Sequence, residues 1–178
     1  MNAMKWCVMA LTVLVSVSAP AATKQEIDSM VNEALGELYK ESSAAKELAG
    51  KAKGMLVFPE VYKGGFVIGG EYGEGALRVG GSNIAYYSTA AASIGLQIGA
   101  QRKAQVIMFM ADEALTNFRN SDGWEVGVDG SVALATLGVG GTLDSNTLQQ
   151  PIIGFIFSNE GLMYNLTFEG SKITKLER

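Results

Sequence analysis

The sequence predicts an α+β protein in which a mostly antiparallel β-sheet, or a partly closed barrel, of eight or nine strands packs against N-terminal helices. Two periodicities predict this class. Residues 24–41 carry apolar side chains at helical spacing, whereas from Gly54 onward apolar residues recur with a period of two. Most of the 22 glycines lie in the second part, where they mark turns and bulges. Short links between such strands favour antiparallel neighbours.

The first helix is predicted over residues 24–41. Thr23 and Glu26 have the spacing of a capping box, in which each side chain accepts a hydrogen bond from the other residue's backbone amide. The apolar stripe of this helix consists of Ile27, Val31, Ala34, Leu35 and Leu38. Its polar face is acidic, unlike that of membrane-surface helices, so we expect the stripe to pack on the domain's own sheet. Ser42 and Ser43 interrupt the pattern, and a second short helix is predicted over 44–53.

The remaining elements follow from alternation, apolar runs and turn residues. The expected strands are 55–58 (ended by Pro59), 66–68 and 76–79 on either side of a glycine-rich turn, 94–101, a central strand at 106–110, 124–134, a hairpin of 152–157 with 162–168, and a last edge strand at 172–176. A short helix is expected over 112–118, and a polar loop over 136–150. Residues 22–178 thus read as a single domain.

Residues 1–21 have the pattern of a cleaved secretory signal peptide. Lys5 precedes an apolar run of residues 6–17, and Ala19-Pro20-Ala21 supplies small residues at the cleavage position. The run is shorter than the roughly 20 residues that span a bilayer. Cys7 is the only cysteine and precedes the expected cleavage site, so neither a lipid anchor nor a disulfide is expected. We therefore expect an exported protein, either periplasmic or secreted.

Composition excludes several classes of function. The chain has no histidine, which rules out Ser-His-Asp and Cys-His nucleophiles, histidine-ligated zinc and histidine proton shuttles. The chain has a net charge of −4, and removal of the predicted signal peptide, which contains Lys5, makes the charge more negative by one. Nucleic-acid binding requires a basic face instead. No catalytic residue, metal or cofactor is therefore expected, and nucleic acid is not expected as a partner.

The segment Gly69-Gly70-Glu71-Tyr72-Gly73-Glu74-Gly75 is the densest motif. Its glycine order differs from that of phosphate-binding loops, and no helix is predicted after it. Glu71 and Glu74 could be paired carboxylates of a hydrolase, but residues i and i+3 of a strand point to opposite faces. A hairpin or bulge accounts for the motif better.

A local excess of lysine is the main electrostatic feature of the sequence. Lys51, Lys53 and Lys63 bracket the first predicted strand and could converge near one end of it. Such a cluster could bind anionic headgroups at about 1 kcal/mol per basic residue. The alternative is an ordinary solvated face.

Several long motifs, taken in order, resemble the SYLF domain. They are Lys53-Gly54-Met55-Leu56-Val57-Phe58-Pro59, Gly69 to Gly75, Tyr86-Tyr87-Ser88, residues 96–101 and 106–110, Gly123-Trp124-Glu125-Val126-Gly127-Val128-Asp129, and residues 161–171. The resemblance covers about residues 30–175. The residues of the Gly69–Gly75 motif, including Glu71, Tyr72 and Glu74, are expected to be structural, as is Trp124.

The resemblance implies a non-enzymatic lipid-binding module, since eukaryotic members bind phosphoinositides and in some cases actin filaments. Export would separate this chain from cytoplasmic actin, so actin is not expected as its partner. The function expected from the sequence is lipid or membrane-surface binding in the cell envelope, with Lys51, Lys53 and Lys63 as candidate lipid contacts. The alternative is an envelope structural or protein-interaction module that uses exposed strand edges.

Overall fold

The computed structural model describes residues 22–65, 68–94, 99–135, 143–158, 161–162, 167–168 and 170–178. The predicted signal peptide lies outside these residues. In chain order the elements are α1 (Lys24–Glu41), α2 (Ser43–Lys51), β1 (Gly54–Gly65), β2 (Ile68–Val79), β3 (Ser82–Ile94), β4 (Gly99–Phe109), α3 (Asp112–Asn120), β5 (Trp124–Glu125), β6 (Ala133–Leu134), α4 (Ser145–Leu148), β7 (Ile152–Ser158), β8 (Gly161–Leu162) and β9 (Lys172–Leu176). The predicted α+β class is confirmed.

The strands form one curled sheet, a half-barrel, with the order β5-β9-β3-β2-β1-β4-β7-β6, and β8 pairs with β7. Every neighbouring pair is antiparallel except β6 and β7. Residues 106–109 of the predicted apolar run belong to β4, which lies between β1 and β7 and is therefore central as predicted. β9 is not an edge strand, because it lies between β3 and β5.

Both faces of the sheet are covered by apolar side chains, which explains the continuous apolar run in β4. On one face, α1 and α2 pack against alternate residues of the central strands, such as Val57, Val106 and Phe155. On the other face, Leu56, Ile107 and their neighbours pack with α3, Trp124 and Phe168. We call these the α1 face and the α3 face. Each strand thus separates two cores.

The two N-terminal helices begin where local capping residues predict. Thr23 and Glu26 form the complete capping box before α1, and the stripe residues of this helix are all buried. The side chain of Ser42 accepts a hydrogen bond from the Ala45 amide at 3.0 Å and so caps α2. The second helix therefore begins and ends slightly earlier than predicted. Residues 112–118 are helical as expected, within α3.

Two strand predictions around the glycine-rich motif are wrong. Pro59 does not end β1, because it lies in a bulge between Val57 and Glu60, where a missing backbone amide is tolerated. The glycine-rich segment is not a turn but lies within β2. The true turn is Gly80-Gly81, with φ angles of 59° and 83°, conformations that glycine adopts without steric cost. It joins β2 to β3 as a two-residue hairpin.

The predicted strand at 124–134 is also wrong. Alternation there is split between β5 and β6, because the chain turns after Glu125, where the Asp129 amide donates to the Glu125 carbonyl at 2.9 Å. The hairpin predicted at 152–168 is confirmed for β7 and β8, and residues 163–166 lie outside the described chain. Of the predicted strand 94–101, the flanks belong to β3 and β4, and residues 95–98 are likewise outside. In the loop predicted over 136–150, residues 145–148 form α4.

Candidate functional site

The predicted lysine cluster does not converge. Lys51 ends α2 and Lys53 precedes β1, whereas Lys63 lies near the far end of that strand. At about 3.3 Å per residue, β1 separates Lys53 from Lys63 by roughly 30 Å. The expected convergence is therefore wrong, because β1 continues through Pro59 instead of ending there.

Each of these lysines has an acidic partner. Lys51 Nζ lies 2.6 Å from Glu47 Oε1, one helical turn earlier, and Lys53 Nζ lies 3.3 Å from Asp112 Oδ2. Both pairs are largely exposed, so they lower the local positive charge without adding much stability. A role of these two lysines in lipid binding stays a prediction.

Lys63 belongs to a different arrangement, a buried cluster on the α3 face. Its Nζ lies 3.4 Å from Glu71 Oε1, and Lys103 Nζ lies 2.6 Å from the other oxygen of the same carboxylate. The side chains of Lys63, Glu71 and Lys103 are only 13%, 12% and 3% exposed. Cross-strand pairing of β1 with β2 and β4 brings them together. Lys63 is therefore held inside the fold rather than presented to a membrane.

The glycine-rich motif is explained by the bulge in β1. A Cβ added at Gly73 would lie 2.5 Å from the Glu60 carbonyl oxygen, and one at Gly75 would overlap the Val57 carbonyl. At Gly70 the nearest atom would be 3.7 Å away, an ordinary contact. Two of the motif glycines are thus required because the bulged strand approaches β2 closely, as expected for a structural motif.

The two carboxylates of the motif do not form a pair. Glu71 faces the buried lysines on the α3 face, whereas Glu74 accepts hydrogen bonds from Tyr72 and forms an ion pair with Arg178 on the α1 face. Alternation along β2 causes this separation. A hydrolase that uses Glu71 and Glu74 together is therefore not supported.

Trp124 has a packing role. Its side chain is 3% exposed, and its ring lies edge-on to those of Phe109 and Phe118, with centroids 6.5 Å and 5.6 Å away. A Cβ on Gly130 would lie 2.7 Å from Trp124 Cζ2, so that glycine leaves room for the indole.

A basic pocket that the sequence did not reveal lies between α3 and strands β3 and β9. It has a volume of about 220 Å³ and is lined by Ile84, Ala85, Tyr87, Thr116, Arg119, Asn120 and Lys175. Arg119 comes from the last turn of α3, and Lys175 lies opposite Tyr87 in the β3–β9 pair. The lining residues include two cations, several neutral hydrogen-bonding groups and no carboxylate. We call this the Arg119–Lys175 pocket.

Burial raises the pKa of Tyr87, and the positive charge of nearby Arg119 opposes that rise. The Tyr87 side chain is 6% exposed, so its hydroxyl stays protonated at neutral pH and can donate a hydrogen bond. The pocket therefore combines charged and neutral donors, a combination that suits an anion.

An exposed apolar side chain borders the pocket. The pairing of β2 with β3 shifts register at Leu77 and Arg78, and Ile84 lies at this irregularity. Ile84 is 47% exposed, one of few large apolar side chains with such exposure among the described residues. The position results from strand pairing, so no local sequence pattern predicts it.

A second groove lies beside α1 and has the opposite electrostatic character. It has a volume of about 200 Å³ and is bordered by Glu33 and Glu37 of α1 and by Glu60, Arg102 and Lys103 of the sheet. Three carboxylates border this groove with Arg102, which is already 2.7 Å from Glu60, whereas the Lys103 ammonium group is bound to Glu71 on the other face of the sheet. This groove is less suited to an anion than the Arg119–Lys175 pocket.

Among the described residues no group of three or more histidine, cysteine, aspartate or glutamate side chains could hold a metal ion. None of the helices in this part of the chain has both the length and the apolar character that a membrane span requires. A family model described as Ysc84, Las17-binding protein actin regulator, matches residues 90–178, half of the chain. The match includes Arg119 and Lys175. No curated protein matches the chain significantly.

Proposed function

Because the chain belongs to the Ysc84 (SYLF) family, as its resemblance predicted, we propose that it is a non-enzymatic module that binds anionic lipid surfaces through the Arg119–Lys175 pocket. The observation that carries this proposal is a pocket with two cations and no carboxylate in its lining. Thr116 and Asn120 add neutral polar groups at the same rim. The ligand would be a phosphate-bearing headgroup.

The energetics favour weak, reversible attachment. Two basic side chains near an anionic surface contribute about 2 kcal/mol together. Ile84 could add about 1 kcal/mol, because roughly half of its side chain remains to be buried on contact. A total of about 3 kcal/mol corresponds to a peripheral interaction that salt weakens. Binding is therefore expected to be strongest at low ionic strength.

The test is co-sedimentation of the purified protein with vesicles. Binding is expected to phosphatidylcholine vesicles that contain phosphatidylglycerol, and much less to vesicles of phosphatidylcholine alone. The variant R119E/K175E should lose binding to the anionic vesicles. K51E/K53E makes the same change in net charge at exposed lysines, so it is the matched control and should retain binding.

The results with these three proteins distinguish whether lipid binds at all, where it binds and whether net charge alone governs binding. Failure of the wild-type protein to bind either vesicle at low salt would overturn the proposed function. Loss of binding in K51E/K53E but not in R119E/K175E would place the lipid contacts at the predicted lysines instead of the pocket. Equal loss in both variants would mean that bulk charge, and not a site, governs attachment.

We also propose that the protein acts in the cell envelope, since residues 1–21 have the pattern of a signal peptide. Mass spectrometry of the protein recovered from a periplasmic extract of an expressing bacterium should give a chain that begins at Ala22. A chain that begins at Met1 in that extract, or recovery from the cytoplasm alone, would contradict export. Cytoplasmic actin is not a partner under this proposal.

The alternative, a protein-interaction module that pairs through strand edges, has weaker support. In the described part of the sheet the two ends of the strand order are β5 and β6, each of two residues. Such short strands offer few backbone groups to a partner strand. A lipid-independent oligomer in sedimentation experiments would favour this alternative.

A further inference from the structure

A second exposed surface lies on the α1 face, at the far end of the sheet from the Arg119–Lys175 pocket. Tyr62 of β1 and Tyr72 of β2 are directly opposite each other and are 54% and 51% exposed. Among the described residues they are two of the few large apolar side chains with such exposure. We call this pair the tyrosine shelf. The proposed lipid site makes no use of it.

Each tyrosine is held by a carboxylate and a guanidinium. Tyr62 Oη donates to Glu60 Oε2 at 2.7 Å, and Arg102 Nη1 donates to Glu60 Oε1 at 2.7 Å. Tyr72 Oη donates to Glu74 Oε1 at 2.9 Å, and Arg178 Nη2 lies 2.7 Å from the same oxygen. Ordered aromatic rings lose little conformational freedom when a ligand binds.

The two rings lean in the same direction. Each hydroxyl reaches a residue two positions away on its own strand, so each ring extends along that strand. Glu60 and Glu74 are themselves cross-strand partners, and therefore both rings point toward the same end of the sheet. The two side chains come from directly paired residues on neighbouring strands, whose backbones are about 4.8 Å apart.

Small residues lie beside the shelf. On the side away from the glutamates, the next cross-strand pair is Gly64 and Gly70, and both are exposed. On β3, Ala90 is opposite Tyr72, and Ala92 is opposite Gly70. No large side chain of these described positions rises beside the rings. The described neighbours on this side therefore leave the two rings accessible.

The charges of the shelf cancel. Two carboxylates are matched by two guanidinium groups, so the shelf selects neither an anionic nor a cationic ligand by net charge. It offers aromatic surface together with acceptors and donors at the edge. A ligand that fits has an apolar face and neutral hydroxyl groups around its rim, and a sugar ring has this chemistry. Aromatic rings with polar handles suit such mixed surfaces.

We propose that the tyrosine shelf binds a neutral glycan chain, with successive sugar rings stacked on Tyr62 and Tyr72. Cross-strand pairing places both tyrosines beside each other on one face, so a glycan chain can lie across both. The glutamates and arginines accept and donate hydrogen bonds to the sugar hydroxyls. This site is independent of the lipid pocket in position and in charge.

The test measures binding of the purified protein to oligosaccharides of glucose, N-acetylglucosamine and mannose by titration calorimetry, with oligogalacturonate as an anionic comparison. At least one neutral oligosaccharide should bind, and more tightly than oligogalacturonate. Y62A/Y72A should raise the dissociation constant about tenfold or more, whereas Y62F/Y72F, which keeps both rings, should change it only a few-fold. Because both side chains are half exposed, the thermal midpoint of each variant should stay near that of the wild type.

Vesicle binding of Y62A/Y72A distinguishes this inference from the proposed function, since the variant should bind anionic vesicles like the wild type. The inference is overturned if no neutral oligosaccharide binds, or if Y62A/Y72A binds them as well as the wild type does. Loss of vesicle binding in Y62A/Y72A would make the shelf a membrane contact. A change of sedimentation mass in this variant would make the shelf an interface between two copies of the chain.

Discussion

Replacing Glu71 with glutamine should destabilise the fold strongly. The glutamine keeps the shape of the side chain but leaves the Lys63 and Lys103 ammonium groups without their shared carboxylate. Lys103 is 3% exposed, so water cannot replace the lost partner. Removal of one partner from a buried ion pair costs about 3–5 kcal/mol, because an uncompensated charge remains buried.

The exposed fractions of the Lys63 and Lys103 side chains set the size of this loss in the free energy of unfolding. The full cost applies to the Lys103 contact of 2.6 Å, whereas Lys63, 13% exposed and at 3.4 Å, can shift toward solvent and adds less. We therefore expect a loss of about 3–5 kcal/mol in the free energy of unfolding. This is a large part of the roughly 5–15 kcal/mol that stabilises a typical domain.

Urea unfolding monitored by circular dichroism measures this free energy. Glu60→Gln is the matched control, because it removes a carboxylate from the neighbouring Arg102 pair, whose side chains are 31% and 49% exposed. The control should lose at most about 1 kcal/mol. Adding Lys103→Met to Glu71→Gln should restore most of the stability. A Glu71→Gln protein within about 1 kcal/mol of the wild type would refute this reasoning.

Three further predictions concern packing, capping and pH. Gly73→Ala should lower the free energy of unfolding by about 1–3 kcal/mol, because its Cβ would lie 2.5 Å from a carbonyl oxygen of the bulged strand. Gly70→Ala should be nearly neutral, and the urea midpoints of the two variants test the difference. Ser42→Ala should cost about 1 kcal/mol through loss of the α2 cap, while Ser43→Ala should change thermal stability little. Burial raises the pKa of Tyr87 above the ordinary tyrosine value of 10.0, so the folded state holds this proton more tightly. The free energy of unfolding should be at its full value below about pH 10 and fall as the pH rises further. Denaturation measured across that range tests this prediction, and a constant free energy would contradict it.

The sequence was most informative where structure depends on near neighbours. The capping box of Thr23 and Glu26, the apolar stripe of α1 and the central run of β4 all appear as predicted. Capping and periodicity act within a few residues, so they can be read directly from the chain. The sheet class followed for the same reason.

The strand predictions are wrong where contacts between strands far apart in the chain, and not neighbouring residues, determine the structure. Pro59 was interpreted as the end of a strand, but the bulge accommodates it and β1 continues to Gly65. The glycine motif predicts a hairpin turn or a bulge, yet it lies within β2, and Gly73 and Gly75 are needed because the bulged β1 approaches β2 closely. Neither reading could be corrected from residues near in sequence, since the deciding contact is between two strands.

The sequence by itself determined the α+β class, the N-terminal helices and the resemblance to the SYLF family, since these rest on local periodicity and ordered motifs. Only the tertiary structure decided which charged groups meet. Strand register placed Lys63 and Lys103 on one carboxylate, and the packing of α3 beside β9 brought Arg119 to Lys175. Pairing between residues far apart in the chain fixes these neighbours, and no local pattern encodes it.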